Sequence, residues 1–195
     1  MAYRDAWREL STLLREASEN DRIVIYLSCH GFRDPQALTS GYLAVSDTDP
    51  KLPEGTAISF MQLRKLIDEC RAKHVLLIVD SCFSGLAAVE KSLSGRMATV
   101  ALKPGRLVLT AGDHEQAAAL VRDGSMSVFT KNLVEGLRGK AEIFPDGYIT
   151  AGELFLYSQY HTVLDTETKQ TPLYGRIGTG VGEFIFEVPS TEAAN

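Results

Sequence analysis

Between residues 3 and 18 the apolar side chains Trp7, Leu10, Leu14 and Ala17 recur at helical spacing with charged residues between them. That pattern fits a helix burying a single stripe, and the polar run from Ser18 to Asp21 ends it. The period then changes. RIVIYLS at 22–28 is a β-rich apolar run that breaks abruptly into the polar CHGFRDP, so a buried strand is expected to open into a loop. GYLAVSD at 41–47 predicts a short strand. Ser59 followed by Gln62 marks a helix N-terminus, and Leu63, Leu66, Ile67 and Cys70 supply the buried stripe behind it.

HVLLIVD at 74–80 is aliphatic almost without interruption, as a strand covered on both faces of a parallel sheet must be. It gives way to the polar, glycine-containing SCFSG. Residues 86–105 have mixed composition without a strong period and predict a partly helical or mobile connection, after which RLVLTA at 106–111 predicts another strand. SVFTKNLVEGLRG at 127–139 carries a helical stripe closed by glycine. Thr150 and Glu153 cap a further helix running to about His161, FPDGYIT lies between the two helices as a loop, and GEFIFEV at 182–188 predicts a last strand. Strands alternating with helices imply an α/β fold: a three-layer sandwich with a mostly parallel central sheet flanked by helices, its functional loops at the carboxyl ends of the strands. One domain is expected over residues 1–188, with a polar tail at 189–195.

Composition narrows the function. The 195 residues are 45% hydrophobic and 23% charged, which suits one soluble globular domain. A formal net charge of −5 without clustered Lys and Arg argues against nucleic acid as a direct partner, because phosphate neutralisation requires such clusters. Apolar runs are as short as VLLIV, and the opening MAYRDAWREL interleaves charge with apolar residues, so neither a membrane span nor a secretory signal is predicted. The expected location is cytoplasmic. Cys29, Cys70 and Cys82 include no CxxC pair and fit neither a disulfide framework nor a zinc site.

Two aliphatic strands each deliver one reactive side chain just past the carboxyl end: His30 after IVIYLS and Cys82 after VLLIVD. If the strands are neighbours, the two residues converge. An imidazole stabilises a nearby thiolate and can later protonate a leaving amine, and backbone N–H groups in tight turns, here at Gly31 and Cys82, can receive the charge that grows on an attacked carbonyl.

YLSCHG and DSCFSG resemble the histidine and cysteine motifs of the caspase-like peptidases, metacaspases and their bacterial relatives above all. The separation of 52 positions from His30 to Cys82 matches the spacing of about 50 seen in caspases. LTAGDHEQAA at 109–118 resembles that family's next strand and substrate loop, and SVFTKNLVEGLRG, DGYITAGELF and QTPLYG resemble its C-terminal half. The resemblance spans most of residues 5–188. It implies a cysteine endopeptidase of the caspase/hemoglobinase fold acting on protein or peptide substrates through an acyl-enzyme, with no cofactor in the chemical step. It also implies that Asp80, two before the cysteine, and Ser28, two before the histidine, bind an Arg or Lys at P1. The chemistry agrees, since a guanidinium leaving water requires a carboxylate to pair with.

Cys29 and Phe83 stand where the family commonly has Gly and His, and neither change removes a dyad member. Alternation turns Cys29 away from His30 and toward packing. The family's first strand and helix, with one further acidic pocket residue, would precede residue 1, and without that strand a sheet edge is expected to be exposed. Many metacaspases are activated by calcium. Asp47 and Asp49 in SDTDP offer oxygen ligands without a further acidic cluster, which fits a solvated turn better, and Asp146–Gly147 also fits a turn. His74, His114 and His161 are expected at the surface or in caps. Lys91, Arg96, Lys103 and Arg106 place basic residues in what the family uses as a processing loop, so self-cleavage is expected there. Bacterial relatives imply a regulatory or sensor partner. The competing class is a catalytically silent caspase-like docking or signalling module, which would have no chemical need for both Cys82 and His30. A thiol phosphatase would place Arg six residues after Cys82, where Ala88 stands.

Overall fold

The computed structural model describes residues 1–34, 37–81, 103–112 and 119–188. Its central sheet has four strands: β1 (Arg22–Ser28), β5 (His74–Asp80), β6 (Gly105–Thr110) and β8 (Leu173–Arg176), in the order β1-β5-β6-β8. β1, β5 and β6 run parallel, and β8 closes one edge antiparallel to β6. The fold is therefore α/β with a mostly parallel sheet.

Alternation along β5 divides the core in two. Val75, Leu77 and Val79 face a cluster built with Leu14 of α1 (Tyr3–Glu16) and Phe60, Leu63 and Ile67 of α2 (Phe60–Asp68). Leu76 and Ile78 face a second cluster with Phe129 and Leu133 of α3 (Val128–Glu135) and Leu154 of α4 (Ala151–Asp165). Helices thus cover the sheet on both faces. Val75 to Leu77 and Val79 are fully buried, at about 1.5–3 kcal/mol of hydrophobic stabilisation for each large side chain. β1 stands at the edge of this sheet. Its Ile23 and Ile25 are buried, whereas Val24 and Tyr26 on the opposite face are 46% and 45% exposed.

The local signals act as their chemistry requires. Ser59 Oγ accepts from Gln62 N–H, Ser127 Oγ accepts from Thr130 N–H, and Thr150 with Glu153 makes a reciprocal capping box. α3 runs into a π-turn (Gly136–Lys140) in which Gly139 takes φ 109°, a value that favours glycine.

Four expectations need correction. CHGFRDP is not wholly a loop: Gly31–Asp34 forms β2, paired antiparallel with β3 (Ala37–Leu43). The strand expected at 41–47 is the end of β3 and stops at Leu43, where pairing with the two-residue β4 (Ile58–Ser59) also stops. FPDGYIT contains β7 (Tyr148–Thr150), and the last strand, β9 (Ile185–Glu187), pairs with it in a separate two-stranded sheet. β8 was not signalled at all, because LYGR includes a glycine and owes its extended form to pairing with β6. The tail at 189–195 lies outside the described residues.

Candidate functional site

The site begins with register. β1 and β5 are adjacent and parallel, with Ser28 opposite Asp80, and Cys29 N–H extends the ladder by donating to the Asp80 carbonyl at 3.4 Å. His30 follows Ser28 by two residues and Cys82 follows Asp80 by two. The strands that precede them therefore end at the same level. His30 is exposed, while Cys82 lies outside the described residues.

Gly31 opens β2. Ala44 N–H donates to the His30 carbonyl at 2.7 Å, which makes His30 and Ala44 a hydrogen-bonded pair; antiparallel alternation then makes Gly31 and Leu43 a non-hydrogen-bonded pair. The Gly31 N–H consequently turns away from β3, on the side where β2 has no strand neighbour among the described residues. That N–H lies one residue past an exposed imidazole.

Asp80 is 5% exposed, and its two carboxylate oxygens differ. Oδ2 accepts from Ser127 Oγ at 2.6 Å, Thr130 Oγ1 at 2.8 Å and the Tyr26 hydroxyl at 3.0 Å, and the Tyr26 and Thr130 oxygens lie 2.8 Å apart. Oδ1 is buried with no hydrogen-bond partner among the described residues. Ser81 Oγ and Thr110 Oγ1, at the carboxyl ends of β5 and β6, are also buried without a partner. Buried polar atoms are nearly always paired, and three of the five unpaired side-chain atoms among the described residues gather at these strand ends, the other two being Arg106 Nε and Ser158 Oγ. Burial, with the charge of Asp80 adding to it, holds the Tyr26 phenol above its ordinary value.

Ser28, Cys29 and His30 line a cavity of about 590 Å³ together with apolar residues including Leu10, Leu27 and Val45. Cys29 is half-buried and packs against the α1–α2 side of the core, as alternation predicts. Its burial, and after that the charge of Asp80, push the Cys29 thiol from 9.0 up to about 11. It is a packing thiol.

Asp47 accepts the Tyr3 N–H at 2.6 Å in the first turn of α1, and Asp49 accepts from Lys51 N–H two residues on. Both carboxylates thus have structural work, and among the described residues no three His, Cys, Asp or Glu side chains cluster as metal ligands. Arg106 does not belong to a loop: it lies in β6, and its guanidinium donates to the carbonyls of Cys70 at 2.6 Å and Ala72 at 3.3 Å, bracing the end of α2 against the sheet. Lys103 is exposed, and Lys91 and Arg96 lie outside the described residues. His74 is not a surface residue. It is half-buried, its Nδ1 3.0 Å from the Glu183 carbonyl, and burial lowers its pKa. His161 packs on the rings of Tyr157 and Tyr160, and His114 is outside the described residues.

Sequence reasoning missed four residues. Tyr26, Ser127 and Thr130 gather on Asp80 from 54, 47 and 50 positions away, which no local pattern reveals. Gln170 is 1% exposed; it donates to the Ala111 carbonyl at 2.7 Å and accepts from Ala119 N–H at 3.0 Å, strapping together the two ends of the segment that resembles a substrate loop. The only signal for it was a polar residue opening QTPLYG.

No protein-family model matches the chain, and no curated protein matches it.

Proposed function

We propose that this chain is a cysteine endopeptidase of the caspase/hemoglobinase type that cleaves after Arg or Lys. The observation that supports the reading is the Ser28–Asp80 register of two adjacent parallel strands, whose carboxyl ends lie side by side, two residues before His30 and two before Cys82 in the sequence. In this reading the Cys82 thiolate attacks the scissile carbonyl. His30 delivers a proton to the departing amine, and water then hydrolyses the thioester with His30 taking up its proton. The Gly31 and Cys82 N–H groups receive the oxyanion; for Gly31 this is supported by an N–H that alternation leaves free of β3. Asp80, buried with one carboxylate oxygen unpartnered among the described residues, and Ser28 beside it recognise the basic P1 side chain.

The test is hydrolysis of fluorogenic peptides ending in Arg, Lys or Asp, with and without calcium, by the wild type and by Cys82→Ala. Cleavage after Arg and Lys that disappears in Cys82→Ala is the expected result. Silence on every substrate, with no labelling of Cys82 by an arginine-based electrophile, refutes the peptidase reading and favours a docking module.

A further inference from the structure

We infer that Tyr26, Ser127 and Thr130 form a hydroxyl clamp that presets the Asp80 carboxylate for a cationic side chain, saturating Oδ2 so that Oδ1 alone keeps its acceptor capacity. The inference rests on the proposed role of Asp80 in binding a basic P1 residue.

The geometry carries it. A carboxylate ordinarily divides its donors between two oxygens. Here all three hydroxyls lie 2.6, 2.8 and 3.0 Å from Oδ2 and come from two separate elements, with the Tyr26 and Thr130 oxygens, 2.8 Å apart, sharing their protons between Oδ2 and each other. Tyr26 is on β1, whereas Ser127 caps α3 and Thr130 lies in its first turn. Ser127 also accepts from Thr130 N–H at 2.9 Å, so the helix terminus itself fixes two of the donors. Turning the carboxylate would break all three bonds together. Oδ1 meanwhile has no partner among the described residues and no contact with solvent. A buried anionic oxygen without a partner is costly, and a guanidinium or ammonium that reaches it offsets that cost. Entry is therefore coupled to a local opening around Oδ1.

The clamp residues are positioning residues that act through Asp80. Their contribution is orientation, and it is felt by a charged ligand and not by an uncharged one.

The experiment measures calorimetric binding of N-acetyl-arginine amide, with N-acetyl-norleucine amide as the uncharged control, to the full chain. It compares wild type with Asp80→Asn, Tyr26→Phe, Thr130→Val and Thr130→Ser, each checked for folding by circular dichroism. Tyr26→Phe and Thr130→Val are each expected to weaken the arginine probe by about tenfold or more, the low end of the worth of one charge-assisted hydrogen bond. Thr130→Ser is expected to bind as wild type does, and the norleucine probe is expected to be unchanged throughout. If Asp80→Asn loses the arginine probe while Tyr26→Phe and Thr130→Val keep wild-type affinity, the clamp is overturned and the pocket stands. If the wild type fails to distinguish arginine from norleucine, or Asp80→Asn leaves the discrimination intact, the pocket is overturned and the clamp with it. Should Thr130→Val fail to fold, Tyr26→Phe decides, because its phenol lies at the exposed margin of β1.

Discussion

The thiol beside the proposed general acid is the sharpest place to challenge the division of labour between the cysteines. Cys29 precedes His30 and lines the same cavity, so a reader of the sequence alone could assign it a reactive role. Burial and the neighbouring charge of Asp80 push it from 9.0 to about 11. At pH 8 this cuts the thiolate population from roughly one molecule in ten to about one in a thousand, close to a hundredfold loss in reactivity before restricted access is counted. The assay is peptide-resolved mass spectrometry of iodoacetamide labelling at pH 8, comparing the folded chain with the same chain in urea. Cys29 is expected to label about 100-fold more slowly when folded, with a rate that still rises beyond pH 9. A linkage consequence follows. The folded state holds this proton up to about pH 11 and the unfolded state only to about 9, so the contribution is complete below pH 9 and lost as pH rises to 11. The loss is about 3 kcal/mol, and Cys29→Ala should flatten the slope. Folded-state labelling within tenfold of the urea rate would refute the reasoning.

Further predictions concern the supports of the site. Gln170→Met keeps the side-chain volume but orphans the Ala111 carbonyl and the Ala119 N–H, and should cost about 2–4 kcal/mol in urea unfolding; a loss under 1 kcal/mol would mean that the strap is dispensable. Burial holds the Glu183 carboxyl above its usual range, although the Phe184 N–H and the Tyr174 hydroxyl donate to it. The unfolded chain gives up that proton at lower pH than the folded chain does, so stability should fall as pH rises through this window. Glu183→Gln should raise the melting temperature at pH 7 and reduce its pH dependence; an unchanged profile would show that the group is ionised at no cost.

What the sequence made legible is what local chemistry controls. The uninterrupted aliphatic run of β5 and the Thr150–Glu153 capping box carry their signal within a few residues, and both fell where expected. β2, β7 and β8 did not, because Gly31, Gly175 and the short YIT segment gain extended structure from a partner strand rather than from their own propensity. Arg106 misled for a similar reason. A basic residue after a mixed stretch resembles a cleavage loop, yet its guanidinium is committed to two carbonyls at the end of α2. In the proposed site, Asp80 and Ser28 were singled out by the resemblance alone, two before Cys82 and two before His30. The hydroxyls on Asp80 could not, since they meet it only through the tertiary fold.

That dependence has a kinetic side. The register of the sheet joins Arg22 to His74 and Leu107 to Arg176, pairings 52 and 69 residues apart, and the Asp80 contacts close loops of 47 to 54 residues. Loop-closure entropy must be overcome before any of these contacts contributes, so the local helices can form early while the sheet edge forms late. On refolding, the cation recognition proposed for Asp80 should therefore return only with the slowest phase, making ligand binding a stopwatch for the completion of the sheet.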